Sequence, residues 1–293
     1  MPIAMTIGFL FYEYTARLSF LTPYLIGVML FFTYCNIDFR RLRFTGFHLA
    51  LISVQLLGSV LVYFICLPFN AILAQGAMIC MLAPTATSAP VITGILGGEI
   101  ESLASYSLFC NLVMAFIAPL WFAFAGNVDA SSFGHAVLII SQKVFILLLL
   151  PFVLAFLLSR ALPEAHRVIR KWNGVSFYLW SLALVIITGK TVLFVTEQGS
   201  DYFLEIVLAI AALILCVAQF AIGRKIGAKL NNTISGGQGL GQKNTILVIW
   251  MAQTYLNPIS SIAPGAYILW QNIINSYQVW RKERVRLLPK QES

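Results

Sequence analysis

Long apolar segments separated by short polar connections fill almost the whole chain. Ten segments are visible, at 2–12, 18–35, 46–67, 71–96, 103–125, 133–158, 175–195, 203–222, 245–255 and 262–280. A helix needs about 20 mostly apolar residues to cross the hydrocarbon core of a bilayer. Only 10% of the residues are charged, whereas soluble domains have about 25%. The sequence therefore predicts an all-α polytopic membrane protein that forms one integral unit over residues 1–293.

The first segment leaves the number of transmembrane helices open between nine and ten. Residues 2–12 are too few to span a bilayer comfortably. Ten crossings would place both ends of the chain in the cytoplasm, whereas nine would leave the N-terminus outside.

The basic residues are concentrated in four places. Fifteen of the 19 Lys and Arg residues lie at 40–43, 160–171, 224–229 and 281–290. The connections at 67–70, 126–129, 197–201 and 256–258 are acidic or uncharged. This alternation follows the positive-inside rule and predicts a multi-pass protein of the cell membrane whose basic loops and C-terminus are cytoplasmic. The net charge of +8 is spread over separate loops, so we expect no nucleic-acid-binding face.

Residue types that carry chemistry in enzymes form no recognisable set in this sequence. The five cysteines have no C-x-x-C spacing, and the three histidines share no ligand spacing. An intramembrane enzyme would need Ser with His or Lys, two intramembrane aspartates, or a His and Glu metal set. The nearest approach is a hydroxyl at 85–88 with Lys243. We expect no enzyme, no metal site and no cofactor.

Two of the apolar segments are interrupted by residues that disfavour a continuous helix. In the fourth, two prolines of the run A-P-T-A-T-S-A-P at 83–90 remove backbone donors, and the hydroxyls belong to Thr85, Thr87 and Ser88. The ninth contains four glycines in the run S-G-G-Q-G-L-G-Q-K-N-T at 235–245. Its polar side chains include those of Gln238, Gln242, Lys243, Asn244 and Thr245. We expect both stretches to be unwound.

The two interruptions match in position if each half of the chain contributes five segments. The preceding segments also match, because Gln55 and Gln219 each place a glutamine in an apolar helix ahead of a break. Unwound backbone at membrane depth must be buried in protein or line a wet cavity. Matching broken helices therefore indicate the midplane site of a secondary transporter. The alternative is a pair of ordinary helix kinks.

Lys243 lies within the second interruption and has no acidic residue near it in the sequence. No Asp or Glu occurs between Glu205 and Glu283. A charge at bilayer depth costs about 2.5–3.5 kcal/mol on insertion scales, so such residues tend to be functional. In one interpretation Lys243 stays charged, replaces a bound cation and meets an anionic substrate. In a second, desolvation favours the neutral amine, which carries a proton through the cycle. In a third, Lys243 snorkels to an interface.

Several motifs, in this order along the chain, resemble the bile acid:sodium symporter family. They are L-I-G-V-M at 25–29, N-I-D-F at 36–39, A-P-T-A-T-S-A-P-V-I-T at 83–93, L-L-L-P-F-V-L at 148–154 and Q-K-N-T at 242–245. The resemblance is to a bacterial member and implies an inner-membrane location. It also implies two inverted five-helix repeats in which the discontinuous helices 4 and 9 cross.

The resemblance further implies two bodies and a substrate site between them. Panel helices would occupy about 2–35 and 133–195, and core helices about 46–125 and 203–280. Family members typically use two sodium ions to move bile acids or other organic anions, including metabolic carboxylates. Gln55 matches a ligand type of the family, and Ser107 and Asn111 are candidates for further ligand positions, one turn apart on one helix face.

The sequence departs from the family where sodium would bind. Ala89 and Pro90 stand where the family commonly has a Ser-Asn pair, and residues 236–241 lack the glutamate that usually precedes the ninth-helix motif. Lys243 stands where a glutamine is expected. A hard cation requires several oxygen ligands and net negative charge. The sodium sites are therefore expected to be altered.

These observations predict a secondary active transporter of a small organic anion that works by alternating access. We expect transport without sodium, Lys243 in place of a cation site, and a monomer in the lipid bilayer. Two alternatives are a sodium-coupled organic anion symporter of the same family and a cation/proton exchanger of related architecture. The exchanger would ordinarily carry an acidic residue at the crossing, which this sequence lacks. The coupling ion, sodium or proton, and the substrate stay open.

Overall fold

The computed structural model describes residues 2–39, 41–126, 132–172, 174–198 and 202–287, which are mostly helical and contain no β-strand. The first half comprises α1 (Pro2–Leu10), α2 (Tyr12–Arg17), α3 (Thr22–Cys35), α4 (Gly46–Cys66), α5 (Ala71–Leu82), α6 (Ala89–Leu96) and α7 (Ile100–Ala125). The second half comprises α8 (Phe133–Ala161), α9 (Pro163–Arg170), α10 (Val175–Gln198), α11 (Tyr202–Lys229), α12 (Thr233–Gly241), α13 (Thr245–Tyr255) and α14 (Ile262–Leu287). Short 3₁₀ turns occupy Leu18–Leu21 and Pro258–Ser261.

Six helical stretches are long and apolar enough to cross a membrane. They are Tyr12–Cys35, Gly46–Cys66, Ile100–Ala125, Phe133–Ala161, Val175–Glu197 and Tyr202–Lys229. Two shorter apolar helices, Ala71–Leu82 and Thr245–Tyr255, flank the breaks. Large apolar side chains on the outside, such as Leu57 and Leu61 of α4, are 70% and 61% exposed, as expected where the solvent is lipid. The prediction of an all-α, multi-pass membrane protein is confirmed, whereas the count of nine or ten and the inverted repeat stay predictions.

The helices pack in two main sets joined by α7 and α8. In one set α10 packs on α1, α2 and α3, and α3 packs on α8. In the other, α11 packs on α5, α12 and α14, and α4 packs on α5. Helices α7 and α8 follow each other in the chain and pack on one another. The division into panel and core at the predicted boundaries stays a prediction.

The break expected in the fourth segment is present. Helix α5 ends at Leu82 and α6 begins at Ala89. Pro84 lies within this stretch and Pro90 in the first turn of α6, and proline cannot donate the backbone hydrogen bond that a continuous helix needs. The two prolines therefore separate the segment into two half-helices.

The ninth segment corrects the prediction that residues 235–245 are unwound. Residues 233–241 form helix α12, and the break is confined to residues 242–244. The glycines serve close packing instead, because a Cβ on Gly223 of α11 or on Gly236 of α12 would collide with the carbonyl oxygen of the other residue. Small residues let helix backbones approach in membranes. The glycines at 236–241 therefore belong to a helix that packs closely on α11, and not to an unwound segment.

Several connections named above lie outside the described residues. They are position 40, positions 127–129, positions 199–201 and position 290. The first basic connection is described from Arg41, which pairs with Glu101 of α7 at 2.6 Å and with Asp38 at 3.3 Å. The hydrogen bond and charge of Glu101 raise the pKa of Arg41. This pair attaches the connection between α3 and α4 to the start of α7.

We predict that positions 168 and 284 face the cytoplasm, because both belong to basic clusters. In a background without the five native cysteines, Val168→Cys and Arg284→Cys are expected to resist an impermeant thiol reagent in intact cells, and Arg284→Cys is expected to react after lysis. Phe69→Cys, in a connection without basic residues and 81% exposed, is the positive control and should react in intact cells. Strong labelling of intact cells at 168 or 284 would overturn the topology.

Candidate functional site

The two broken segments meet each other directly. Thr85 and Lys243 form an antiparallel β-bridge. The Ala86 amide donates to the carbonyl oxygen of Gln242 at 2.9 Å, and the Asn244 amide donates to that of Pro84 at 2.8 Å. Each break thus pairs one backbone amide with a carbonyl oxygen of the other break, as irregular backbone at membrane depth requires partners within the protein.

Four successive carbonyl groups at the end of α5 accept side-chain hydrogen bonds: those of Cys80, Met81, Leu82 and Ala83. Gln219 Nε2 of α11 donates to Cys80 at 3.3 Å, and Lys243 Nζ donates to Met81 at 3.2 Å. Gln55 Nε2 of α4 donates to Leu82 and Ala83 at 2.6 and 3.0 Å. The last carbonyls of a helix have no partner within it and carry partial negative charge. Lys243 is the one cationic donor of these three.

Lys243 is held in place by α14 as well as by α5. Its backbone amide donates to Gln271 Oε1 at 2.8 Å, and Gln271 Nε2 donates to its carbonyl oxygen at 3.3 Å. The residue is only 1% exposed. Throughout the described ranges, the ion pairs involve Arg41, and none involves Lys243. Lys243 lies in the break between α12 and α13, and the C-terminal end of α5 is its partner there.

The end of α12 differs from the end of α5 because its donors are neutral. Thr85 Oγ1 donates to the Gly239 carbonyl at 2.8 Å, and Tyr267 Oη donates to the Gly241 carbonyl at 2.9 Å. Each break is also supported by a glutamine and a tyrosine. Tyr106 Oη donates to Gln55 Oε1 at 2.9 Å, and Gln219 Nε2 donates to Tyr267 Oη at 3.1 Å. The ends of α5 and α12 are similar in construction, but among the described residues only the end of α5 accepts a hydrogen bond from a cationic side chain.

A cavity of about 890 Å³ lies against the crossing. Its polar lining comes mainly from the breaks and α14 and includes Thr87, Ser88, Gln242, Asn244, Gln271 and Asn275. Its apolar lining includes Val91, Ile92, Ile95, Phe177, Trp180, Val279 and Trp280. Gly174 precedes α10, and Ser176 and Phe177 lie in its first turn, close in the chain to the basic residues of α9. Trp280 adjoins the C-terminal basic cluster. The cavity therefore reaches from the crossing toward the face that carries the basic residues.

Six of the predicted site residues line this cavity: Thr87, Ser88, Gln242, Lys243, Asn244 and Thr245. Gln242 Nε2 donates to Ser88 Oγ at 2.9 Å, which joins the two breaks. The starts of the half-helices α6 and α13 reach the cavity through Ser88 and through Asn244 and Thr245. Helix N-termini favour negative charge.

The other five predicted residues are buried and do not line the cavity: Gln55, Thr85, Ser107, Asn111 and Gln238. Gln55 and Thr85 bond the carbonyl ends of the half-helices, as described above. Asn111 Nδ2 donates to the Ser107 carbonyl one turn earlier on α7 at 2.8 Å. Gln238 Nε2 donates to Asn275 Oδ1 at 3.0 Å. The structure thus gives Gln55, Thr85 and Gln238 supporting contacts around the crossing.

Sequence reasoning missed the contribution of α14. Gln271, Asn272, Asn275 and Ser276 all line the cavity. Gln271 and Asn275 are four residues apart and therefore share a helix face. The presence of this polar pair inside the last apolar segment is visible in the sequence and could have identified α14 as part of the site. It indicates that α14 turns a polar face toward the crossing.

The opposite end of the protein is closed by direct packing. Gln253 Nε2 near the end of α13 donates to Thr191 Oγ1 of α10 at 2.9 Å. Gln75 Nε2 at the start of α5 donates to the Ala125 carbonyl at 2.7 Å, and its Oε1 accepts from the Asn257 amide at 3.0 Å. On α10, the cavity residues Ser176 to Trp180 and the contact residue Thr191 lie more than two turns apart. The cavity and the closed contacts occupy opposite ends of this helix.

No cluster of metal-ligating side chains is visible among the described residues, where no three His, Cys, Asp or Glu residues come together. The carbonyl groups at the end of α5 are the nearest approach to a cation site, and Gln55, Gln219 and Lys243 already donate to them. The likeness to bile acid:sodium symporters rests on the motifs quoted above, because no family model matches the chain and no curated protein matches it.

Proposed function

We propose that this protein is a secondary active transporter that moves a small organic anion across the membrane by alternating access. The observation that carries the proposal is the pairing of two broken helices at the base of a cavity of about 890 Å³. The cavity reaches one face, while direct contacts such as Thr191 with Gln253 close the opposite face. A carrier in one of its two end states has this arrangement.

The lining of the cavity favours an anionic substrate. The starts of α6 and α13 place the positive ends of two half-helices at the polar end, beside the hydroxyls of Ser88 and Thr245. No Asp or Glu is among the lining residues that the structure describes. Apolar side chains toward the other end, such as Ile95, Phe177 and Trp180, suit a carbon skeleton.

Lys243 acts, in this proposal, as a fixed internal cation. Its ammonium occupies the negative end of α5, where a mobile cation would otherwise be attracted. The cation is then present in every step of the cycle, so sodium need not bind for the two breaks to keep their arrangement. The hydrogen bond from Nζ to the Met81 carbonyl oxygen is stronger for a charged amine than for a neutral one.

The proposal predicts that organic anions stabilise the purified protein against heat and that filling the cavity removes this effect. A ligand at about 100 times its Kd stabilises by roughly 2.7 kcal/mol. A thermal-shift screen of small carboxylates, run in sodium chloride and in choline chloride, measures it.

The matched variants for this screen are on one helix. Ser276→Trp fills the cavity from α14 and is expected to abolish the shift, whereas Ile273→Trp, at a position that is 58% exposed and outside the lining, is expected to keep it. Equal shifts in both variants would place the binding site elsewhere. A shift that appears only with sodium would favour the sodium-coupled alternative.

A further inference from the structure

The short helix α9 has three distinct faces. Ile169 packs against the apolar core, and α9 packs on α3 and α8. Val168 of α9 and Trp172 of the turn that follows α9 are 53% and 60% exposed. Arg167, Arg170 and Lys171 occupy the remaining face and are also exposed. One face is therefore bound to the protein, one is apolar and open, and one is basic and open.

The position of α9 in the chain indicates that its two exposed faces lie at the surface of the bilayer. It directly links α8 and α10, two helices long and apolar enough to cross a membrane. An eight-residue amphipathic helix at the joint between two spanning helices lies at the boundary of the bilayer. There its apolar face contacts acyl chains and its basic face contacts headgroups. Tryptophan is enriched at this depth, and Trp172 fits it.

From these observations we infer that α9 is an interfacial helix that binds acidic phospholipid headgroups through Arg167, Arg170 and Lys171. No ion pair within the described ranges involves these three residues, so their charge is available. Each basic residue near an anionic membrane surface strengthens binding by roughly fivefold. The inference depends on the membrane location of the protein and not on the proposed transport activity.

Lipid bound at α9 would act next to the mouth of the cavity. Gly174, Ser176 and Phe177 follow α9 within a few residues, and all three line the cavity. Acidic lipid would therefore fix the start of α10 beside the wall of the cavity. The second basic cluster of comparable size, at the end of α11, has no such neighbour in the cavity wall.

Thermal unfolding of the full chain in lipid nanodiscs tests the inference. In nanodiscs of phosphatidylcholine with phosphatidylglycerol, the wild type is expected to unfold at a higher temperature than in phosphatidylcholine alone. The triple variant Arg167→Gln, Arg170→Gln, Lys171→Gln is expected to lose this difference. The control Lys225→Gln, Lys229→Gln removes exposed basic residues from α11 and is expected to keep it.

Two further measurements test the contact with lipid: fluorescence from labels on α9, and unfolding in the presence of free phosphate. An environment-sensitive fluorophore on Val168→Cys should report an apolar surrounding, while the same fluorophore on Arg167→Cys, on the basic face of α9, should report water. Inorganic phosphate or glycerol phosphate added to phosphatidylcholine nanodiscs should give no shift. An equal phosphatidylglycerol effect in the triple variant, a watery signal at 168, or a shift with free phosphate would each overturn the assignment.

Discussion

The rate at which proteoliposomes take up an organic anion found in the thermal-shift screen is expected to be unchanged when choline replaces sodium. The same rate is expected to fall by roughly 10- to 100-fold in Lys243→Gln. The variant removes a charged hydrogen bond from the Met81 carbonyl at the end of α5. Such bonds contribute about 1.5–3 kcal/mol, and each 1.4 kcal/mol corresponds to a factor of ten. Sodium cannot share the site with the ammonium, because two unit charges about 4 Å apart repel by about 4 kcal/mol at an effective dielectric constant near 20.

The matched control is Lys190→Gln. Lys190 is also a lysine of an apolar helix, but its Nζ lies over the ring of Phe194 at 5.5 Å and away from the crossing. This variant is expected to transport as the wild type does. Unfolding temperatures in sodium chloride and choline chloride provide a readout that needs no substrate, and those of the wild type should agree.

Two results would contradict the role given to Lys243. One is wild-type uptake that collapses without sodium, and the other is a Gln variant that transports as before under every ion gradient. An imposed pH gradient separates the two forms of the hypothesis. If Lys243 carries a proton, uptake follows that gradient in the wild type but not in the variant, whereas a fixed cation gives no such dependence.

Crosslinking α10 to α13 at the closed end is expected to reduce uptake to background. Thr191 and Gln253 are hydrogen-bonded there at 2.9 Å, and alternating access requires this end to open. A short, reducible bis-methanethiosulfonate applied to the double variant Thr191→Cys, Gln253→Cys should lock the protein, and reduction should restore transport. The measurement is uptake before and after crosslinking, compared with the fraction of crosslinked protein.

The single variants Thr191→Cys and Gln253→Cys control for modification without a crosslink. The wild type treated with the reagent controls for the five native cysteines, of which four are buried. Full activity of the crosslinked double variant would show that these helices do not separate during transport. Binding without transport in the crosslinked protein would be the expected companion result, because the cavity is at the other end.

The apolar segments and the fourth-segment break could be predicted because their causes are local. A segment of about 20 apolar residues is stable as a helix in lipid wherever it stands in the fold. Pro84 and Pro90 interrupt a helix through their own covalent structure. Helix α13, predicted at 245–255, begins and ends at those residues. Each of these features depends on residues close together in the chain.

The glycine-rich segment and the site depended on residues far apart in the chain. Glycine is compatible both with an unwound segment and with a close contact between helices. Gly236 makes a close helix contact, because the backbone of Gly223 on α11 lies directly against it. The sequence alone identified Lys243 as an unusual charge in an apolar segment. Its partner, the Met81 carbonyl 162 residues earlier, became apparent only when the two broken helices crossed. A helix C-terminus attracts a cation only where the fold brings the two together. The distance between Lys243 Nζ and the end of α5 is therefore a property of the tertiary structure.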